Sequence, residues 1–330
     1  MENEQKIKIA MYGTQDNDIL YFNKANTDGR YEIDYYEEQL NPDTTNLAAG
    51  HDAVCVFTND IVSGEVVRKL ASEGVKAVAL RCAGYNNVEL DATHPIMPIA
   101  NVPNYSPYSV AEHAIALLLT SVRRIHKAYN RTREFNFDLD DLVGFELHGK
   151  TIGVIGTGKI GKKFVDICNG FGMNVIAYDK FPDENSGINY VTLDELFRNS
   201  DIISIHCPLT EETKYIINKD SIAQMKTGVI LINTSRGGLI DSDELVEGLL
   251  SKKIGAACLD VYEDESNVFF QDLSNHIMRD EILARLLSMP NVIITSHQAY
   301  LTDEALKNIA NTTLNNIEQL ITTGHSENEL

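Results

Sequence analysis

Apolar residues in this chain fall into short β-branched runs that alternate, nearly from end to end, with stretches of helical period. Short runs bounded by turn residues predict strands, and helix-length spacers between them predict crossovers, so the pattern points to α/β with parallel sheets. Lys6–Tyr12, Ala53–Thr58 and Ala77–Leu80 read as strands of a first sheet. Asn101-Val102-Pro103-Asn104 then interrupts the pattern. Ser106-Pro107 opens a helical stretch to about Arg133, because Pro is pre-set for a first turn and Ser caps it. A second run of strands follows: Thr151–Ile155, Met173–Tyr178, Ile202–His206, Val229–Asn233, Ala256–Leu259 and Val292–Thr295. That is the strand count of a complete dinucleotide-binding sheet. From Leu301 to Ile321 the period is helical again (Leu306, Ile309, Leu314, Ile317, Leu320), and this helix is expected to return to the first domain. The polar tail Ser326–Leu330 is expected to be loose. The expected fold is two doubly wound, Rossmann-like α/β domains with a cleft between them. One is discontinuous (1–103 plus 300–330) and takes the substrate; the other (104–299) takes the dinucleotide.

Length agrees with two domains, since 330 residues exceed the ~100–200 typical of one. Lys plus Arg is 28 against 48 Asp plus Glu, a formal net charge of −20. That balance argues against sequence-independent binding to nucleic acid or to an anionic membrane. An anionic ligand would need a locally basic site. The start, Met1-Glu2-Asn3-Glu4-Gln5-Lys6, is polar with no signal-peptide core. The longest apolar stretch, about Ala114 to Leu119, falls far short of the ~18–20 residues that span a bilayer. Cys55, Cys82, Cys168, Cys207 and Cys258 are odd in number and form no Cys-x-x-Cys pair, so reduced thiols in the cytoplasm are expected, and no metal site.

Chemistry enters at Gly156-Thr157-Gly158-Lys159-Ile160-Gly161, directly after an apolar strand and before a helical pattern. Gly156 permits the tight turn, Gly158 the approach of backbone to a pyrophosphate, and Gly161 close packing of helix on strand. Asp179 closes the next strand, where a carboxylate accepts from the adenosine ribose and repels a 2′-phosphate, so NAD is favoured over NADP. Lys180 beside it softens that preference.

Three further segments each follow a strand, where ligands of open α/β sheets bind. Asn233-Thr234-Ser235-Arg236-Gly237-Gly238 offers a guanidinium, which forks onto a carboxylate and keeps its charge. Thr295-Ser296-His297 offers an imidazole, which titrates near neutrality and suits the proton donor to a nascent alkoxide. A nearby carboxylate raises a histidine's pKa so that it holds that proton. Glu263, Asp264 and Glu265 compete for this part, and spacing alone does not rank them. Asp260 ends a strand and could accept from the nicotinamide ribose or carboxamide, while Cys207-Pro208 could line the cofactor with backbone. His51, His94, His126, His148, His276 and His325 read as surface or satisfied residues, and His113, inside a helix, has no special claim.

The set Gly-Thr-Gly-Lys-Ile-Gly, Asn-Thr-Ser-Arg-Gly, Asp-Val-Tyr-Glu-x-Glu and His-Gln-Ala-Tyr resembles the D-isomer-specific 2-hydroxyacid dehydrogenases, and within them the fermentative D-lactate branch of bacteria, over nearly the whole chain. Phe269-Phe270 also fits that branch. The resemblance implies His297 as acid/base, Glu265 as the acid that raises its pKa, and Arg236 as substrate anchor. It implies backbone N–H groups of Ala83 and Gly84 on the substrate carboxylate, in a loop from Arg81 to Asn87, with Tyr105 and Tyr300 walling the pocket. Lys159, Ile160, Asp179, Cys207, Pro208, Thr213, Thr234, Ser235, Arg236 and Asp260 would contact NAD. Two departures are visible: Ser296 stands where many relatives carry Pro, and Tyr300 where Phe is also common. The implied reaction is NADH-dependent reduction of pyruvate to D-lactate. The alternatives are the same chemistry on a bulkier 2-keto acid, such as phenylpyruvate or 2-ketoisocaproate, and a non-catalytic NADH sensor. Relatives commonly pair as homo-oligomers (dimers or tetramers) through the cofactor domain, and the helix from Ser106 is the expected surface.

Overall fold

A computed structural model describes residues 6–265 and 268–330. The acidic start Met1–Gln5, read above as lacking an export core, lies outside the described residues. The chain divides into two compact units, residues 1–106 with 301–330, and residues 107–300.

The first unit is built from β1 (Ile7–Met11), α1 (Asp16–Ala25), β2 (Tyr31–Tyr35), β3 (Ala53–Val56), α2 (Gly64–Ser72), β4 (Ala77–Leu80), α3 (Leu90–Thr93) and β5 (Ile99–Ala100). Its strands are all parallel, in the order β2-β1-β3-β4-β5. Because side chains alternate along a strand, successive residues serve opposite cores. Val54 and Val56 pack with Val66, Val67 and Leu70 of α2, while Ala53 and Cys55 face the other side. Two strands escape the pattern read above. In β2, Glu32 and Asp34 interleave with the apolar residues of an edge strand, and β5 is only two residues long.

The second unit contains α4 (Pro107–Arg123), α5 (Ile125–Arg133), β6 (Thr151–Ile155), α6 (Lys159–Gly170), β7 (Asn174–Tyr178), α7 (Leu193–Asn199), β8 (Ile202–Ile205), α8 (Lys219–Gln224), β9 (Val229–Asn233), α9 (Ser242–Leu250), β10 (Ile254–Leu259), α10 (Glu281–Ser288) and β11 (Val292–Ile294). The order β11-β10-β9-β8-β6-β7 is again wholly parallel. One face is covered by α4 and α6 around Ala114, Leu118, Val154 and Phe164, the other by α7 to α10 around Leu196, Leu231, Leu245 and Leu283. Helix starts are set locally: Thr192, Asn218, Asp241 and Asp280 each accept from first-turn N–H groups, a cap worth about 1 kcal/mol.

The helical stretch expected to run to Arg133 is broken at Arg124, which adopts φ 53°. The apolar stripe of α4 ends at Val122, and α5 buries no residue, so nothing holds the second segment on the line of the first. The apolar face of α4 expected as a pairing surface packs instead on α6 and on β9 and β10.

The last helix, α11 (Asp303–Thr323), begins at the Thr302 cap and stops at Gly324, φ 80°. It packs on α1, β3 and β4 of the first unit. The tail is anchored where looseness was expected. Leu330 N–H donates to Ile99 O (2.9 Å), Asn101 N–H donates to Asn328 O (3.1 Å), and Ser326 Oγ donates to buried Asn316 Oδ1 (3.0 Å). All five cysteines are free, and no helix among the described residues is long and apolar enough to cross a membrane.

Candidate active site

In the second unit the chain leaves β6 for β7 on one side, then returns to place β8 on the other. This reversal opens a crevice at the carboxyl ends of β6 and β8. Every candidate of the second unit follows a strand along this edge or sits at the head of α6. Asp179 follows β7, Gly156 β6, Cys207 β8, Arg236 β9, Asp260 β10 and His297 β11. With strands ~4.8 Å apart, β7 to β10 spans about 20 Å, enough for an extended dinucleotide.

The glycine turn is sterically defined. Gly156 has φ 94°, and a Cβ there would lie 2.6 Å from Cys207 N. A Cβ on Gly161 would lie 2.0 Å from Gly156 O, whereas one on Gly158 meets no heavy atom within 4 Å. Backbone there is bare toward open space. Lys159 and Ile160 begin α6, whose N-terminal amides favour an anion. The Asp179 carboxylate braces the turn, accepting from Thr157 N (2.6 Å) and Thr157 Oγ1 (3.0 Å), with Phe181 N–H on its other oxygen (2.8 Å). Lys180 is paired with Glu212. Thr213 Oγ1 donates to Pro208 O (2.7 Å), closing the loop after β8, and burial pushes the Cys207 thiol up to about 11, so it stays protonated. Thr234 Oγ1 is buried with no partner among the described residues, a hydroxyl placed to meet a ligand. These features fit a dinucleotide.

Behind the turn, the half-buried His206 ring packs on Phe164 (centroids 4.7 Å apart) and lies 2.8 Å from Ser204 Oγ through Nε2. Burial holds its pKa down at about 3, from 6.5. An imidazole depressed on folding stabilises the fold fully above pH 6.5, and that stability is lost as pH falls toward the folded value. After discounting for partial exposure, about 1–2 kcal/mol should be lost by pH 5. Urea unfolding of His206→Leu beside the parent at pH 7 and pH 5 should show the variant losing less between the two. Equal losses would contradict this account.

Arg236 sits in a turn tied by Asn233, whose Nδ2 donates to Arg236 O (2.8 Å) and whose Oδ1 accepts from Ser235 N (3.0 Å). Ser235 Oγ donates to Ile205 O (3.0 Å), tying this turn to the end of β8. On the neighbouring strand Asp260 is fully buried, its backbone N–H donating to Asn233 O (2.9 Å). The Asp260 carboxylate accepts from Thr295 Oγ1 (2.5 Å), Gln298 N (2.9 Å) and Ala299 N (2.8 Å), and its backbone carbonyl from His297 N (2.7 Å). Burial alone would raise its pKa; hydrogen bonds from His113, Thr295, Gln298 and Ala299 outweigh that and hold it below the usual carboxylate range. The carboxylate is thus occupied by protein donors, and its visible work is to fix residues 295–299.

His297 is held at φ 51°, and its Nδ1 lies 2.9 Å from Glu265 Oε1. A carboxylate only accepts, so Nδ1 carries a proton and Nε2 faces away from Glu265. The competing acids are spent elsewhere or exposed: Glu263 accepts from Tyr215 Oη, and Asp264 is exposed. The Phe270 ring lies 6.1 Å from the His297 ring, and half-buried Tyr300 closes the unit. Thr157, Tyr215, Asn233 and Thr295 were not singled out from sequence: Thr157, Tyr215 and Thr295 act through a carboxylate after another strand, and Asn233 acts through the backbone of its own turn. His113, given no claim above, contacts this cluster through Thr295.

In the first unit, Ala83 and Gly84 lie in a loop that is fixed at both ends. Buried Arg81 donates to Tyr12 O (3.0 Å), Gly13 O (2.8 Å) and Asp18 (3.1 Å), and Asn87 donates to Phe57 O and Asp60 O. Asn101 Nδ2 donates to Ala83 O (2.8 Å). Tyr105 is half-buried, its carbonyl accepting from Asn308 (2.7 Å).

The model of the D-isomer specific 2-hydroxyacid dehydrogenase NAD binding domain matches residues 115–299. The chain belongs to this dehydrogenase family. A relative of this dehydrogenase from Haemophilus influenzae, described as a 2-hydroxyacid dehydrogenase homolog, is 49% identical over 318 residues, 95% of this chain and 96% of that one. The D-lactate dehydrogenase of Escherichia coli is 46% identical over 318 residues, covering 95% and 97%. The solved apo-structure of the Escherichia coli enzyme superposes with a TM-score of 0.89 at 45% identity, covering 98% of this chain and all of that one. The dehydrogenase described here uses NAD, and the matched NAD binding domain lies within its second unit.

Proposed function

We propose that the enzyme reduces pyruvate to D-lactate. The observation that carries this reading is the His297–Glu265 pair at 2.9 Å, with both side chains largely buried, Glu265 following the strand next to the Arg236 turn and His297 the strand beyond it. Bound NADH supplies the hydride. Arg236 forks onto the substrate carboxylate and keto oxygen, fixing C2 and stabilising charge as it develops on that oxygen. His297 presents Nε2–H to the oxygen and gives up its proton. Glu265 holds the ring by Nδ1 and offsets the charge of the imidazolium. Ala83 and Gly84 take the carboxylate by backbone N–H, and Tyr105 and Tyr300 limit side-chain size. Gly156, Gly158, Gly161, Lys159, Ile160, Asp179, Cys207, Pro208, Thr213, Thr234, Ser235 and Asp260 are read as the dinucleotide cradle. The test is kcat/KM across pyruvate, 2-ketobutyrate, 2-ketoisocaproate and phenylpyruvate. Pyruvate should lead; a lead for the bulky acids would keep the mechanism and replace the substrate, since one methylene is worth only ~1–3 kcal/mol of discrimination.

The reading places the enzyme in the cytoplasm as a homo-oligomer. The segment after α5 leaves Phe135 (85%), Phe137 (71%), Leu139 (76%) and Val143 (88%) exposed in the single chain. Such a patch suits a protein interface. Cationic α5 (Lys127, Arg131, Arg133) and the acids Asp138, Asp140 and Asp141 lie beside it, as a self-complementary contact needs. Light scattering after gel filtration should give a multiple of the 36.8 kDa chain mass, and Phe137→Asp should shift it toward the single-chain value. A monomeric parent would refute this part.

A further inference from the structure

His113 lies on α4, yet its side chain reaches the strand ends of the second unit. Its Nε2 is 3.1 Å from Thr295 Oγ1 and 3.4 Å from Asp260 Oδ1. Thr295 Oγ1 is itself 2.5 Å from Asp260 Oδ1. Proton count gives this chain a direction. A threonine hydroxyl has one proton, and an ionised carboxylate can only accept. Asp260, held below the usual carboxylate range, therefore takes the Thr295 proton. The Thr295 oxygen must then accept, and His113 Nε2–H is the donor.

The chain continues past Asp260. Its carboxylate takes Gln298 N–H and Ala299 N–H, and its carbonyl takes His297 N–H. Three consecutive backbone donors thus hang on one residue, and they hold His297 at a φ of 51°, a conformation that a non-glycine residue adopts only when its surroundings impose it. Fixing the Asp260 carboxylate plane fixes this loop. Thr295 and His113 supply that constraint at Oδ1, the oxygen that also takes Gln298 N–H, while Ala299 N–H holds Oδ2.

We infer that His113 is a positioning residue for the proton-transfer step. It acts through Thr295 and Asp260 to hold the His297 loop where Nε2 can reach the substrate oxygen. The inference rests on the reading of His297 as proton donor. It assigns His113 no contact with substrate and no proton of its own to give.

The test uses the full-length enzyme and three variants. His113→Leu removes the donor, His113→Gln keeps an N–H at nearly the Nε2 position, and Thr295→Val removes the same link from the other side. Displacing a reacting group by about an ångström costs up to ~10²-fold, so His113→Leu should lose kcat by roughly 10–100-fold. The KM for pyruvate should stay within about threefold, and NADH affinity, followed by fluorescence quenching, should be unchanged. His113→Gln should recover most of the loss, and His113→Leu/Thr295→Val should be little worse than either single variant, as expected for one shared path. A merely structural histidine would lower thermal stability, leave kcat intact in the folded protein, and gain nothing from Gln. Full kcat in His113→Leu, or Gln no better than Leu, overturns the inference. If His113→Leu fails to fold, Thr295→Val decides: full kcat there overturns the inference, and the same selective loss upholds it. Failure of the underlying reading looks different, with the parent itself or His297→Gln breaking the expectation.

Discussion

His297→Gln is expected to lower kcat for keto-acid reduction by roughly 10³-fold, with NADH affinity held within about threefold. General acid catalysis contributes ~10²–10⁴-fold, and an amide has no proton to give an alkoxide near neutral pH. Gln is close in length to His and offers an N–H to Glu265, so the fold of the loop should persist. His297 N–H to Asp260 O is a backbone contact and is untouched by the substitution. The cofactor-contact candidates lie at other strand ends and in α6, and Asp260, which touches His297, does so through backbone, so binding should survive. Stopped-flow reduction with saturating NADH reads the loss directly. A variant retaining a tenth or more of the parent rate would contradict the assignment.

Asp260→Asn should cost stability as well as rate. Gln298 N–H and Ala299 N–H reach different oxygens of the carboxylate. An asparagine keeps one acceptor, so either orientation sets an NH₂ against an N–H in a fully buried site. An unsatisfied buried donor costs ~1–3 kcal/mol, and hydrogen bonds to a charge are worth ~1.5–3 kcal/mol, so about 3 kcal/mol should be lost in urea unfolding at pH 7. Because the loop that carries His297 loosens, kcat should fall by about 10²-fold. The pH dependence has a definite sign. A carboxyl lowered from 3.8 on folding contributes stability above that value, and the contribution is lost as pH falls through the lower folded value, so the parent's extra acid sensitivity below about pH 4 should vanish in Asn. If Asp260 instead served only the cofactor, NADH affinity would fall and stability would not.

Strand ends were legible in the sequence, and they carry most of the site. Thr151–Ile155 and Val229–Asn233 are strands with the ends their apolar runs predict, and so the glycine turn and the Arg236 turn land on the carboxyl edge. What sequence does not carry is which side chain meets which across strands. Spacing alone leaves Glu263, Asp264 and Glu265 unranked and only the family resemblance pointed to Glu265; in the structure Tyr215, from the loop after β8, takes Glu263, and Glu265 meets His297. His113 sits in an apolar helix, and only the packing of α4 against β11 brings it to Thr295. Short or polar elements failed for a different reason: β5 gains its place from the strand and tail beside it and has little periodicity of its own. The break at Arg124 likewise reflects where burial stops, with no glycine or proline to announce it.

This site should move hydride and proton onto a 2-keto acid with D outcome. The most direct measurement follows NADH consumption by the purified protein with pyruvate and resolves the product by chiral chromatography. Stoichiometric D-lactate is the predicted result. NADH that binds but is not consumed, or lactate of L configuration, would contradict it.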